Sequence, residues 1–289
     1  MDKVKSLNKL RLSVQCVFSA ITNGYLAGFL RGKIYQGDLK AVCVPGLNCY
    51  SCPGALGACP VGSLQATLNS DFKLPLYVTG FLFAFGALLG RFVCGWLCPF
   101  GLVQDGLYRI PSAKKVKNLP GHRALIYLKY AVLLLFVILL PLLARDSLGL
   151  GDPWFCKYLC PSGTLLGGWT LLSLNAGLRS AAGWLFAWKS FLLVALLALS
   201  VIVYRPFCKY LCPLGAFYGF FNRVAFYRFR VDKKRCVNCG VCAKACPMAV
   251  ALPENPNSVE CIRCGICRKV CPQIAITTSF EKNGKDLER

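Results

Sequence analysis

Residues 94–101 read CGWLCPFG, residues 156–163 read CKYLCPSG and residues 208–215 read CKYLCPLG. Each stretch sets two cysteines four positions apart and follows the second with proline, a variable residue and glycine. Side chains at i and i+4 share one side of a helix, so each stretch offers two thiols in one direction. Proline is expected to stop the backbone pattern there, and glycine to permit a close turn. A fourth CPxG stands at Cys59, inside CVPGLNCYSCPGALGACPVG at 43–62.

The surrounding chain is oily. Its 289 residues are 56% hydrophobic, with a mean hydropathy of +0.52, which fits a membrane protein better than a soluble domain. The 19 cysteines match the density of disulfide scaffolds and metal proteins, and disulfide scaffolds are usually short secreted chains. With one histidine (His122) and two methionines (Met1, Met248), a bis-His haem and a His-rich copper or zinc site are excluded. No CxxCH haem attachment occurs, and no nucleophile–base pair suggests hydrolysis. Thiolate chemistry remains: iron–sulfur, zinc or copper(I). The net charge of +22 reads as the positive-inside rule plus a basic cytoplasmic surface, with no nucleic-acid partner expected; an acidic partner or anionic lipid is the alternative.

A spanning helix needs about 20 mostly apolar residues. Leu12–Leu30, Leu74–Gly90, Ala124–Ala144 and Gly183–Tyr204 are the four candidates, with Lys129 and Lys189 near the starts of the last two, expected to snorkel. Gly163–Leu178 is shorter and reads as interfacial or re-entrant. Four spans put Lys3, Lys5, Lys9, Arg11, the loop 109–123 and the basic tail on one side. Positive charge stays cytoplasmic, so both termini are expected inside a cell-membrane protein. Near Arg228 the chain becomes charged and loses its apolar runs.

The tail reads CxxCxxCxxxCP twice, from Cys236 and from Cys261. In this spacing three thiolates grasp one 4Fe–4S cluster and the fourth serves the other. Cys236, Cys239, Cys242 and Cys271 are therefore expected to hold one cluster, and Cys261, Cys264, Cys267 and Cys246 the second. Gly240 and Gly265 allow backbone amides to approach. Over about residues 228–280 the chain resembles the bacterial two-cluster ferredoxins.

On the expected topology, CGWLCPFG and the second CKYLC both lie at the cytoplasmic face. Cys94, Cys98, Cys208 and Cys212 then form a third site. The order helix, outer Cys loop, helix, inner CxxxCPxG occurs twice in the same direction, as a parallel repeat. At the outer face, repeat logic favours Cys52, Cys59, Cys156 and Cys160 for a further cluster, with Cys43 and Cys49 as a disulfide or extra ligands. Disulfides alone, zinc or transferred copper are the alternatives there. Cys16 reads as a buried thiol. A hydrocarbon layer of about 30 Å is too thick for hopping between clusters at its edges. Either the Gly-rich loops carry the clusters inward, or a quinone or flavin bridges the gap. Trp96, Phe100, Trp154, Phe155 and Phe207 border the motifs as interfacial anchors or a quinone lining. Lys157, Lys209, Lys244, Arg263, Arg268 and Lys269 are surface charges or raise cluster potentials.

The inner pairs Cys94/Cys98 and Cys208/Cys212, LCPLGAFYG at 211–219 and the double tail motif together resemble the NapH-type membrane ferredoxins, to which NosR and MauN proteins are related. The resemblance implies four spanning helices, cytoplasmic ferredoxin clusters and a quinol dehydrogenase or electron conduit. By analogy, an extracytoplasmic flavoprotein is a partner alongside a cytoplasmic redox protein. The six outer cysteines depart from that family and favour a path across the membrane. The expected fold is an all-α polytopic membrane protein: four helices in a tandem parallel repeat, plus a small α+β two-cluster ferredoxin domain. The expected boundaries are a cytoplasmic segment 1–11, a membrane domain 12–216 and a cytoplasmic domain 217–289. The rival functions are a membrane copper reductase and a redox-sensing regulator.

Overall fold

The computed structural model describes residues 2–71, 76–112, 114–144 and 151–281. The start of the expected span Leu74–Gly90, and the end of the tail, lie outside the described residues.

The CPxG stretches start helices rather than ending them. Helices begin at Pro60, Pro99, Pro161 and Pro213, each directly after a cysteine. Proline suits the first helical position, where its missing N–H costs nothing and its φ is already helical. The cysteine before it is the N-cap, with extended backbone at Cys98, Cys160 and Cys212. This corrects the reading of proline as a stop. Each inner cysteine pair thus straddles a junction, the first thiol in a short helix and the second on the next helix's cap.

The same series of elements runs twice. A long helix (Asp2–Thr22; later His122–Leu143) leads into a Cys loop. A Cys-capped helix follows (Pro60–Asp71; later 161–174), then an apolar helix (Leu76–Leu89; Trp184–Ile202). A five-residue Cys helix (Phe92–Trp96; Pro206–Tyr210) and a second Cys-capped helix (Pro99–Tyr108; Pro213–Phe221) complete each half. The helices starting at Pro60 and Pro161 were not foreseen.

Among the described residues, His122–Leu143 and Trp184–Ile202 are long and apolar enough to cross a membrane, at 22 and 19 residues. Their outer faces carry exposed Leu134, Leu135, Trp184, Phe191 and Val194, a surface that suits hydrocarbon. Leu76–Leu89 is apolar but has 14 residues, short of the about 20 that a span requires. Leu12–Leu30 is not one helix: the helix from Asp2 ends at Thr22, and another runs Leu26–Arg31. Asn23 Nδ2 donates to Ser19 O, and Leu56 N–H and Asn48 Nδ2 donate to Thr22 O, so the Cys loop caps this end. The stretch 163–178 breaks at Asn175, whose Nδ2 donates to Gly32 O and Leu171 O.

In the tail, Phe229–Val231 pairs antiparallel with Ile276–Thr278, and helices Val241–Ala245 and Ile266–Val270 pack together. Gly240 and Gly265 start those helices with φ of +70° and +80°, a left-handed conformation natural to glycine. The tail is seated on the helical part through buried bonds. Asn222 Oδ1 accepts from Arg91 N–H at 2.9 Å, while its Nδ2 donates to Ser258 O and Cys261 O, each at 2.8 Å. Trp96 Nε1 donates to Arg263 O, and the Arg263 guanidinium donates to Leu89 O and Asn222 O.

Asn222→Ala strands buried partners that each cost roughly 1–3 kcal/mol to leave unsatisfied. The tail of this variant is expected to loosen, and protease cutting near 222–228 in detergent should speed up by at least tenfold. Unchanged cutting would show that the seating does not depend on Asn222.

Candidate metal centres

Sixteen of the 19 cysteines fall in four groups. Cys236, Cys239, Cys242 and Cys271 line one small cavity. Cys246, Cys261, Cys264 and Cys267 line another. The fourth thiol of each CxxCxxCxxxC run thus faces the other run's group.

The third group is Cys94, Cys98, Cys208 and Cys212, all buried. In every pair among them, the charge of one acts on another. Gln104 Nε2 donates to Cys208 Sγ at 3.2 Å, and Gly215 N–H to Cys212 Sγ at 3.3 Å. The N–H groups of Gly101 and Leu47 turn to Cys98. The CPxG pattern is the same throughout: Gly163 N–H donates to Cys160 Sγ at 3.3 Å, and Gly62 N–H turns to Cys59. A cap side chain accepting from the third helical N–H is ordinary N-cap geometry, here with sulfur as the acceptor.

The fourth group differs from the expected set of Cys52, Cys59, Cys156 and Cys160. The structure brings together Cys49, Cys59, Cys156 and Cys160, again with every pair close enough for mutual charge effects. The Sγ atoms of Cys49 and Cys160 both lie within 3.7 Å of where a Cβ on Gly163 would stand. Cys52 faces the N–H groups of Gly54 and Ala55 and stands near Cys49 but does not line the cavity of this group. Two consecutive turns, Cys52 N–H to Cys49 O and Ala55 N–H to Cys52 O, shape the loop here. All the cysteines are free, so Cys43 and Cys49 form no disulfide, and Cys16 is exposed rather than buried. Cys43 lines the same open cavity as the fourth group, about 1980 Å³, together with Lys40, Tyr50, Tyr77 and Lys189.

Burial pushes these thiols up, Cys59 and Cys261 to about 12 and Cys208 to about 11. Buried thiolates need a bound cation to stay ionised. Four soft thiolate donors in each group are a set that fits an iron–sulfur cluster.

The groups follow in succession. In the tail, Val241–Ala245 lies on Ile266–Val270, placing the first group beside the second. A Cβ on Gly95 would stand 2.2 Å from Ile262 O, so the second group's loop presses on the third group's short helix. Leu47 joins the third group to the fourth: its N–H turns to Cys98 and its carbonyl accepts from Ser162 Oγ at 3.2 Å. Leu47 and Cys49 are two residues apart, at most about 7 Å of chain. Tyr218 OH donates to Pro45 O at 3.1 Å on the same seam. The Cys loop therefore packs against the third group as well as carrying a member of the fourth.

Several residues turn inward against expectation. Lys129 is fully buried and bonded to Glu260, and Lys189 Nζ donates to Cys156 O at 3.0 Å, so neither snorkels. Lys209 is also buried, donating to Lys117 O and Asn118 Oδ1, and burial pushes it down to about 8. Phe100, Phe155 and Phe207 lie buried beside the thiols rather than at a surface. Lys157 pairs with Asp152. Arg91, Gln104, Asp105, Arg205, Tyr218 and Glu260 were missed, although an arginine three residues before Cys94 and before Cys208 is plain in the sequence. Burial alone would raise Asp105 and Glu260, but Arg205 beside the first and Arg91 and Lys129 beside the second hold both below the usual carboxylate range.

A family model described as a 4Fe-4S binding domain matches residues 74–118, 130–179 and 184–234, and one described as a 4Fe-4S dicluster domain matches 228–272. An uncharacterized protein of Methanocaldococcus jannaschii is 32% identical over 78% of this chain and 80% of its own length. Regulatory protein NosR of Stutzerimonas stutzeri is 29% identical over 70% of this chain, which spans 27% of that protein. Ferredoxin-type protein NapH of Haemophilus influenzae is 29% identical over 62% of this chain and 55% of its own length. No solved structure matches the chain. With two apolar helices long enough to span a bilayer and these relatives, the chain is membrane-associated, and it belongs to the NapH-type family of 4Fe-4S ferredoxin proteins.

Proposed function

We propose that the chain is a multi-pass membrane protein that carries electrons between a cytoplasmic ferredoxin-type donor and a quinone or extracytoplasmic acceptor. The succession of four thiol groups supports this reading above all else. The ligand sets are Cys236, Cys239, Cys242 and Cys271; Cys246, Cys261, Cys264 and Cys267; Cys94, Cys98, Cys208 and Cys212; and Cys49, Cys59, Cys156 and Cys160. Held there, 4Fe–4S clusters supply one-electron chemistry, with potentials set by net charge, hydrogen bonds to sulfur and exposure.

The residues divide the remaining work. The CPxG glycine amides and Gln104 donate to sulfur, which stabilises negative charge on the thiolates. Phe100 and Phe207, 5.2 Å apart edge to face, help exclude water from the inner set. Cys239 is exposed, so the first set is the natural contact for a cytoplasmic redox protein. At the other end the open cavity brings Tyr50, Tyr77, Lys40 and Lys189 beside the fourth set. A quinone head group, or a residue of an extracytoplasmic flavoprotein, would meet those side chains there. Both termini are assigned to the cytoplasm on the positive-inside rule.

Four clusters require about 16 irons per chain, and iron with acid-labile sulfide in anaerobically purified protein measures this directly. About 8 would confine clusters to the tail and favour a copper or sensing role. Cys49→Ser is expected to lower iron to about 12 while Cys52→Ser leaves about 16. The opposite pattern would restore Cys52 as the ligand. Reduced dye outside sealed proteoliposomes should reduce an oxidant trapped inside, and no transfer would sink the conduit reading in favour of a sensor.

A further inference from the structure

Arg91 and Arg205 stand three residues before the first cysteine of each inner pair. Both side chains are fully buried. Each reaches across to the opposite half. Arg91 Nη2 donates to Cys208 O at 2.9 Å, and Arg205 Nη1 donates to Cys94 O. Each also reaches the CPxG glycine of the half it grips: a Cβ on Gly215 would stand 3.3 Å from Arg91 Nη2, and one on Gly101 would stand 3.2 Å from Arg205 Nη1. The two guanidinium charges act on both Cys94 and Cys208, and that of Arg205 also reaches Cys98 and Cys264.

Their counter-ions follow one design from two sources. Arg205 is held by Asp105 through Nε at 2.7 Å and Nη2 at 2.5 Å, and Arg11, from the first half's long helix, shares that carboxylate at 3.0 Å. Arg91 is held by Glu260 at 3.0 Å, and Lys129, from the second half's long helix, shares it. Asp105 lies seven residues after Cys98, and the position seven after Cys212 is Gly219. A Cβ on Gly219 would stand 2.9 Å from Val259 O. The second half thus has no carboxylate of its own at this place. Its glycine makes room for the tail, which brings Glu260 in.

We infer that Arg91 and Arg205 are crossed positioning residues that clamp the two inner cysteine pairs face to face and set the potential of the cluster between them, and that Glu260 makes the seated tail a structural part of that site. This rests on the third ligand set proposed above. One-electron reduction adds one negative charge to the cluster, and no proton is involved. Each buried triad carries two cations and one anion and so one net positive charge, which favours the reduced form.

The test is an anaerobic redox titration of the full-length protein, followed by electron paramagnetic resonance of the signal that disappears in Cys94→Ser. Removing an anion should raise its midpoint potential in Glu260→Gln and in Asp105→Asn. Removing a cation should lower it in Arg91→Gln and Arg205→Gln, with Arg91→Lys returning toward the parent value. Glu260→Gln should in addition speed protease cutting of the tail, which Asp105→Asn should not. A merely structural role predicts loss of iron without opposite shifts, and that result, or equal shifts in all variants, overturns the inference. Should the arginine variants fail to assemble, the two carboxylate variants still decide it by the sign of their shift. If Cys94→Ser removes neither iron nor any signal, the third ligand set itself fails, and the inference with it.

Discussion

Everything in the helical part depends on placing thiols at helix starts. A cysteine before a proline occupies the N-cap, the proline fixes the first turn, and the glycine N–H three residues on is aimed back at sulfur. The positive end of the helix favours a negative group there, and backbone donors stabilise it without side-chain entropy. Four such caps, two per half, give each membrane thiol group two of its four members. The remaining members come from short helices or from the Cys loop. Caps from the two halves of the helical part are thereby brought against one another.

Such sites are costly to bury unless charge is balanced. Around the inner group the balance is built in layers: thiolates, then the crossed arginines, then Asp105 and Glu260, then Arg11 and Lys129. No layer is provided by one segment alone. The first helix contributes Arg11 to a carboxylate 94 residues away, and the tail contributes Glu260 to an arginine 169 residues away. The seating of the tail by Asn222, Trp96 and Arg263 fixes the geometry of this balance. A loosely tethered tail would leave Arg91 and Lys129 buried together without an anion.

What was legible in the sequence follows from locality. The tail spacing is a local code, because three thiols within seven residues can face only one cavity, and the structure brings the fourth cysteine of each run to the other run's cavity. The repeat is nearly literal at CGWLCP and CKYLCP, and the structure brings these two cysteine pairs together. At the outer loop the repeat is not literal, and the structure brings Cys49, expected there as a disulfide partner or extra ligand, beside Cys59, Cys156 and Cys160 in place of Cys52. The partner of Cys160 lies four residues before it, whereas the partner of Cys59 lies ten before it, beyond the two turns through Cys52. The buried charges are not legible as such, because a lysine near the start of an apolar run looks the same whether it snorkels or meets a carboxylate. Only the tertiary placement of Glu260 separates those cases. The break at Asn23 was hidden by an apolar run whose polar caps come from a loop some 25 residues later.

The thickness of a bilayer sets the last constraint. Clusters at opposite edges of a layer of about 30 Å would be poorly connected, and the sequence left open whether a loop or a diffusible cofactor closes the gap. The contacts of Leu47 favour the loop. Its N–H serves Cys98 of the inner group while Cys49, two residues on, serves the outer group. One strand of backbone is thus shared between two sites, and irregular backbone at depth is tolerated because protein buries it. Pro45 O accepts from Tyr218, Leu47 O accepts from Ser162 and Asn48 Nδ2 donates to Thr22 O, so three different segments tie this stretch down. On the proposed function no quinone is needed as a bridge between the third and fourth groups, and the open cavity beside the fourth group, with Lys40, Lys189 and two tyrosines, is the place proposed for one.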